Sequence, residues 1–527
     1  MTAQDAGLRD QRSTPVARLE DEAPSATMGH SRWWGVATCM APAGAFGAFA
    51  GVWTPRGPLD TTSALVTLAV AFVVGLVAGA AMRSRWAMLL APVTFVAVFE
   101  VVRIDATGPT VDAIDPTTLA TLAASVALRV VHGLLALVPM ALGAAYGRAW
   151  AAHRTPGHPP PASRLATVAR TGRRLTAAAI AAALLVLAVM IARPASTASV
   201  VGPGGEPMPD GITELTTVTL GGHDQRVLIR GSDIDDPVLL FLAGGPGGAE
   251  LGTMRRYGDL LERDFVVVSW DQRGTGASYR SIDPATTLTF EQAVADTIEL
   301  SAWLRDRFST DRIHLVGNSY GTLLGTLAAQ RRPDLYASVV GAGQMVDVAE
   351  TDQIFYDDTL AHAARTGDDA LAATLRDLGR PPYDDPLLML PITMAEQDWN
   401  DYTDVAGHQG KREFVENLGV SEYTLLDRVG ALAGLVDAYA IIYPQLQDLD
   451  LRARVPRLDV ATYLVEGRYE APGRLEPVEA WFAALDAPDK RLVTFDLSGH
   501  RPFVEEPERF HELMTRIADD NPAADAR

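Results

Sequence analysis

The chain has 527 residues, with 45 basic against 65 acidic side chains and a single cysteine, Cys39. That length exceeds what one hydrophobic core ordinarily serves, so two or more structural units are expected. A net charge of −20 argues against nucleic acid as a partner, and one cysteine excludes a disulfide framework or a thiolate metal site.

The apolar residues are concentrated before Arg193. Residues 63–82, SALVTLAVAFVVGLVAGAAM, carry no charge and are long enough for a bilayer core of about 30 Å. Residues 33–53, 86–102, 124–147 and 175–192 read the same way, giving five candidate spans and an all-α transmembrane region over 1–193. Pro42, Pro92 and Pro139 fall inside three of them, which neighbouring helices tolerate in lipid. The first segment lies too far from the start, with four more behind it, to be read as a cleaved signal. Arginines cluster in the N-terminal tail (Arg9, Arg12, Arg18, Arg32), in the second loop (Arg83, Arg85) and in the fourth (Arg148, Arg154, Arg164, Arg170, Arg173, Arg174). The positive-inside rule makes these cytoplasmic. Five spans then leave everything after Arg193 on the outer face, in a multi-pass protein of the cell membrane. The charges agree: residues 1–193 hold 16 basic and 10 acidic side chains, the remainder 29 and 55. Glu100 and Arg129 both fall toward the outer ends of their segments, where an ion pair lowers the cost of burying either. His132 is the third ionisable group in these segments.

Residues 194–212, rich in Pro, Gly and small side chains, read as a flexible linker. From about 213 the pattern changes to short β-branched runs: ELTTVTL, QRVLIRG, PVLLFLAG, FVVVSW, IHLVGN, ASVVGAG, VATYLVEG and KRLVTFDL make eight strand candidates. Residues 289–308 and 322–332 show helical spacing between them. Strand and helix in alternation predict a doubly wound α/β sheet, whose chemistry gathers at the carboxyl ends of the strands.

Ser319 sits at such an end, in Gly-Asn-Ser-Tyr-Gly between a strand and a helix. The flanking glycines permit the sharp turn that lifts a serine oxygen clear at a helix N-terminus. A serine nucleophile needs a base, and the base an orienting group. His500, in the small-residue turn LSGH after the last strand, is the candidate base. Glu470, just past the preceding strand, is the candidate acid, with Glu466 and Asp496 as alternatives. The order Ser319, Glu470, His500 is that of a nucleophile-elbow sheet. Donors for an oxyanion are the amide of Tyr320 and one from Gly244 or Gly245 in FLAGGPGGAE. In DQRGTGAS, Asp271 and Arg273 are read as bracing neighbouring loops.

The stretches GGPGG, DQRGTGAS, GNSYG, GRYE and SGH, in this order, resemble the α/β-hydrolase superfamily and, within it, the proline iminopeptidase group of serine aminopeptidases. The likeness covers about 213–343 and 455–515. Two positions depart from that group's pattern: Ala243 stands where a loop histidine is usual, and Glu470 where an aspartate is usual. The group has no counterpart of the membrane half. The resemblance implies an α/β-hydrolase fold over 213–527 with a helical lid inserted at about 345–455. In that group acidic lid residues hold the substrate's free amino group, which points to Glu350, with Asp347 and Asp352 as rivals.

The expected mechanism is acyl transfer: His500 takes the proton of Ser319, the serine attacks a carbonyl, and water later frees the enzyme. It implies no metal and no organic cofactor. The partners expected are a peptide or small ester substrate and the lipid bilayer, with no nucleic acid and with the oligomeric state open. Three functions remain at this level: a membrane-anchored aminopeptidase, an esterase or lipase, and a transport or sensory protein whose outer domain binds ligand.

Overall fold

A computed structural model of the protein describes residues 26–112, 119–154, 163–399 and 416–523. Arg9, Arg12, Arg18 and most of the Pro-rich stretch after Arg154 lie outside the described residues. Six helices form an N-terminal bundle: α1 (Ala26–Trp53), α2 (Thr61–Met82), α3 (Ala87–Val102), α4 (Leu119–His132), α5 (Val138–His153) and α6 (Arg164–Ala192). A π-helical turn over Gly133–Leu137 joins α4 to α5. Four helical stretches are long and apolar enough to cross a membrane: Trp33–Trp53, Thr61–Met82, Leu128–His153 and Arg164–Ala192. The remaining expected span, α3, is apolar but shorter: its 16 residues rise about 24 Å at 1.5 Å each, against a hydrocarbon core of about 30 Å.

All five passages nonetheless run between the same two ends of the bundle. Gly51 near the end of α1 abuts Val102 at the end of α3, while Gly35 near the start of α1 meets Ala81 and Met82 at the end of α2. The α2 helix opens on a capping box, with Asp60 accepting from the Ser63 amide at 2.9 Å. It then packs in parallel register on α5: Gly75 lies on Met140, Gly79 on Ala144, Gly143 on Phe72 and Gly147 on Leu76. A Cβ at any of these four glycines would overlap the partner's backbone. Such paired small-xxx-small faces are how helices meet in lipid, where apolar burial supplies no drive between them.

Glu100 pairs with Arg129 at 3.8 Å, as the sequence suggested, but its shorter bond, 2.7 Å, goes to Arg103 one turn on. Arg103 is therefore the principal counter-ion, being on the same helix end and needing no second element to bring it near.

The second half is a mixed eight-stranded sheet in the order β1-β2-β4-β3-β5-β6-β7-β8. The strands are β1 (Ile212–Leu220), β2 (His223–Gly231), β3 (Val238–Leu242), β4 (Val266–Trp270), β5 (Ile313–Ser319), β6 (Tyr336–Gln344), β7 (Ala461–Gly467) and β8 (Lys490–Phe495). Each falls on one of the eight β-branched runs. Strand β2 pairs antiparallel with both β1 and β4, and the remaining pairings are parallel. Strands β3 to β7 are buried along their length except at Ser319, the half-buried last residue of β5, as a sheet covered on both faces requires. Its numbered helices are α7 (Leu251–Tyr257), α8 (Phe290–Phe308), α9 (Tyr320–Arg331), α10 (Val348–Thr366), α11 (Asp369–Leu378), α12 (Leu390–Trp399), α13 (Leu425–Ile442), α14 (Pro472–Ala484) and α15 (Pro507–Asp520), leaving out single-turn pieces. Helices α10 to α13 form an insertion between β6 and β7.

The two halves touch. Leu59, Val111 and Leu128 of the bundle share a buried cluster with the sheet's own core, and Leu426 of α13 packs with Ala64, Leu68, Leu135 and Ile191. The sheet domain thus docks at the end of the bundle opposite Arg83, Arg85 and Arg154.

Candidate active site

Parallel strands β5, β6 and β7 end side by side, and three glycines allow the approaches made there. Ser319 closes β5 and caps α9 with φ 51° and ψ −121°. This left-handed setting for a residue with a Cβ costs about 1–3 kcal/mol and persists only where surrounding structure enforces it. Gly317 and Gly321 enforce it: a Cβ on Gly317 would overlap the Gly321 backbone, and one on Gly321 the carbonyl of Leu242. The Thr322 hydroxyl donates to the Ser319 carbonyl at 2.6 Å, closing the turn.

His500 reaches the same place from the loop after β8. Its Nδ1 lies 2.6 Å from Glu470 Oε2, and its ring packs on Gly343 at the end of β6, where φ is +61°. The loop is pinned by carboxylates from the next segment: Glu505 accepts from the Gly499 amide at 2.8 Å, and Glu506 from the Leu497 amide at 2.9 Å and the Ser498 hydroxyl at 2.7 Å. Asn318, beside the serine, donates to the His500 carbonyl at 3.2 Å and to that of Ala342 at 2.9 Å. Among the described residues neither the Ser319 hydroxyl nor Nε2 of His500 has a hydrogen-bond partner, a looseness common in unliganded sites.

Of the three candidate carboxylates, only Glu470 meets the imidazole. It is buried and accepts from Arg474 Nε at 2.6 Å and the Ala471 amide at 2.8 Å. Burial works against its ionisation, but Arg474 and His500 outweigh that and hold its carboxyl down at about 2. Glu466 is turned to the Gln344 amide at 2.9 Å, and burial, with Glu470 nearby, pushes its carboxyl well above the usual range. Asp496 is an exposed partner of Arg468 and Arg509. Arg474 was not singled out in the sequence; it lies four residues after Glu470, the spacing that stacks two side chains on a helical turn. Its other arm reaches Glu396 of α12 at 2.5 Å.

The glycine loop after β3 lies against the serine: a Cβ on Gly244 would come within 3.3 Å of Ser319 Cβ. The Gly244 amide donates to Glu250 Oε2 at 3.3 Å, and Glu250 is held in turn by Arg501 at 2.9 Å. Gln272 Nε2 donates to the Ala243 carbonyl at 3.2 Å. Arg273 pairs with buried Asp296 at 3.1 Å, and Asp271 accepts from the Ala277 amide at 2.8 Å and the Tyr423 hydroxyl at 2.9 Å. These three residues brace loops, as the sequence suggested for Asp271 and Arg273. Glu350, at the start of α10, is 41% exposed and lies 2.7 Å from Arg452, which also holds Asp347 at 2.7 Å. Asp352 is buried against the hydroxyl of Tyr443 at 2.5 Å and Gln447 at 3.1 Å.

Residues 237–507 match the family described by the alpha/beta hydrolase fold. The chain belongs to that family. Over 307 residues it is 28% identical to a probable aminopeptidase, YbaC, of Bacillus subtilis, covering 58% of this chain and 96% of that one. It is 22% identical over 285 residues to the proline iminopeptidase of Heyndrickxia coagulans, covering 52% and 87%. A crystal structure of the proline iminopeptidase of Mycobacterium smegmatis aligns with 58% of this α/β-hydrolase chain and 98% of its own, at 19% identity and a TM-score of 0.42.

Proposed function

We propose that this protein is a membrane-anchored serine hydrolase, an aminopeptidase that releases N-terminal residues from peptides through an acyl-enzyme. The observation that carries the reading is Ser319 in its left-handed turn beside Gly244, at the strand ends where Glu470 grips His500. In this reading His500 Nε2 takes the proton of Ser319 as its oxygen attacks the carbonyl, and Glu470 supports the resulting imidazolium. The amides of Tyr320 and Gly244 receive the oxyanion once Glu250 withdraws from Gly244, with Gly245 the alternative donor. His500 returns the proton to the leaving amine and then activates water for deacylation. The similarity to aminopeptidases supports the peptide substrate.

For the free amino group the candidates are Glu350 and Glu396: each is paired with an arginine, Glu350 with Arg452 and Glu396 with Arg474, and Glu396 lies one side chain from Glu470 through that Arg474. Either carboxylate would exchange its arginine for the substrate's ammonium group. The arginine-rich loops at the far end of the bundle support a cytoplasmic face there and an outer location for the hydrolase domain. A second reading, an esterase on lipid-like esters, draws on Leu432 and Leu435, both exposed on α13, the helix that also meets the bundle.

The test uses the full chain in detergent micelles, with prolyl and alanyl arylamides, their N-blocked forms and short acyl esters. Cleavage of the free-amino substrates alone, abolished by Ser319→Ala, is the expected result. Of Glu396→Gln and Glu350→Gln, the one that raises KM for the prolyl amide identifies the carboxylate that holds the amino group. Ester turnover indifferent to an amino group would replace the aminopeptidase reading with the esterase one. A folded chain with no serine-dependent turnover would reject both.

A further inference from the structure

Asp437, on α13 of the insertion, is fully buried and surrounded by donors from both halves of the molecule. Arg56, in the loop between α1 and α2, donates to it at 2.9 Å. The Thr110 amide, from the segment after α3, donates at 3.0 Å, and the Thr110 hydroxyl donates as well. The Tyr279 hydroxyl, from the segment after β4, donates at 2.6 Å. Arg56 is itself buried, and its remaining donors go to Asp283 at 3.0 Å and the Thr107 carbonyl at 2.5 Å. A carboxylate so removed from water is tolerable only with such a set of partners, and losing the cation would leave it uncompensated.

The face of α13 that carries Asp437 leads to the candidate site. Gly430, Gly434 and Asp437 follow at spacings of four and three, one face of a helix. The two glycines bring the α13 backbone against Gly276 and Gly274, and Gly434 and Leu435 close on Gly247 of the glycine loop. That loop lacks a side chain of its own to hold it at Ala243, and Gln272 supplies one bond from the sheet side. The helix covers its other side.

We propose that Arg56 is a positioning residue for the hydrolase reaction: through Asp437 the bundle's loops set α13 against the glycine loop, and the reactivity of Ser319 depends on that placement. The inference rests on Ser319 being the nucleophile. The relevant sensitivity is geometric, since displacing an oxyanion donor by about 1 Å costs on the order of a hundredfold in rate.

The experiment measures the labelling rate of the full chain, in detergent micelles, by a fluorophosphonate probe. In that reaction the Ser319 oxygen bonds to phosphorus, fluoride leaves, and His500 takes the serine proton. Two variants perturb the junction: Arg56→Lys keeps the charge without the fork, and Arg56→Met with Asp437→Asn removes both charges so that neither is orphaned. Arg280→Ala, which breaks an exposed pair with Asp60 at the same junction, is the control. The expected result is labelling slowed about tenfold or more in the neutral pair and measurably in Arg56→Lys, with Arg280→Ala at the parental rate. A purely structural role would lower the thermal midpoint and leave the folded fraction labelling at the parental rate. Parental labelling in both junction variants overturns the proposal; should the neutral pair not fold, Arg56→Lys alone decides in the same way. Ser319→Ala is carried alongside. If it still labels, the nucleophile reading fails and this proposal with it, whereas loss of labelling there beside unaffected junction variants removes this proposal only.

Discussion

The bundle and the sheet domain are packed by opposite means. The largest buried cluster in the bundle joins Cys39, Ala43, Ala50, Ala71, Ala78, Ala87, Ala91, Ala136 and Ala144 to five larger side chains, and its tightest approach is glycine on backbone between α2 and α5. The sheet domain buries leucine, isoleucine, valine, tryptophan and tyrosine on the face that carries α8 and α9. Removing large apolar side chains from water drives folding of the second. In the first, close backbone contact replaces that drive, which suits helices whose surroundings are as apolar as their interior. Charge is handled differently too: the sheet domain gathers buried ionisable groups at its strand ends, whereas the charged contacts between the halves are Arg56 with Asp437 and Asp283, and the exposed pair of Arg280 with Asp60.

The largest effect is expected where the sheet domain holds its charges. Glu470→Gln keeps the shape but removes the acceptor that fixes the imidazole, so kcat for the preferred amide should fall about 10³- to 10⁴-fold with the thermal midpoint little changed. Glu466→Gln, four residues away, should cost far less, because that side chain faces the Gln344 amide and not the imidazole. Equal losses from the two would show that the acid has been misassigned. The packing contrast is broken next, by substitutions of opposite sense. Leu315→Ala, in the middle of β5 and fully buried, should cost about 2–5 kcal/mol in denaturant unfolding. Gly79→Leu should instead prevent assembly of the bundle, seen as loss of the monodisperse species in detergent, while Leu68→Ala on the same helix is tolerated. A tolerated Gly79→Leu would mean that α2 and α5 are held by something other than backbone contact.

The sheet was legible because each strand is a β-branched run bounded by glycine or by turn residues, and the Ser319 turn because glycine at both sides of a serine has few other uses between a strand and a helix. Glu470 was legible from its place after β7, though its neighbour Glu466 could be set aside only once the strand's direction showed it facing the Gln344 amide. Arg474 was in view in GRYEAPGR, but nothing in the spacing says that an arginine there turns toward Glu470 rather than to water. The clamp was out of reach: Arg56 and Asp437 lie 381 residues apart, and neither has a local pattern that marks it. Hydropathy alone located α3, which runs from Ala87 to Val102 with Trp86 at its N-cap. The paired glycines of α2 and α5 were visible as Gly75-xxx-Gly79 and Gly143-xxx-Gly147, and only the structure joins one to the other.

A smaller effect separates the orienting acid from its own support. Arg474 stabilises ionised Glu470, so Arg474→Met should raise the carboxyl from its value of about 2. Because the folded value is depressed, the ionised form is at present retained until the pH falls to that level. Without Arg474 the carboxylate should be lost at higher pH, read as an upward shift of the Glu470 carboxyl titration in infrared difference spectra against Glu470→Gln. The expected loss of kcat at neutral pH is about 10- to 100-fold, as for other partners that orient a functional ligand. Arg474→Lys, which keeps the charge, should restore part of it. A carboxyl titration unmoved in Arg474→Met would mean that His500 alone holds Glu470 ionised.

The smallest expected change falls on Asp271, which ties the sheet domain to the start of α13 through Tyr423. Burial pushes its carboxyl up to about 7, against the Ala277 amide and the Tyr423 hydroxyl, which both favour the anion. The folded value thus lies above an unfolded value of about 3.9, and the folded state binds the proton more tightly. Its contribution to stability is then full below about pH 4, declines as pH rises between about 4 and 7, and is gone above that. The parent's thermal midpoint should therefore drop across this window by more than that of Asp271→Asn, which has no proton to lose and can still bond Tyr423. Activity at pH 7 should be nearly unchanged, because Asp271 meets neither Ser319 nor His500. Parallel midpoint curves for the two proteins would show that Asp271 is ionised throughout, and that Tyr423 is held by a buried anion as Arg56 is held by Asp437.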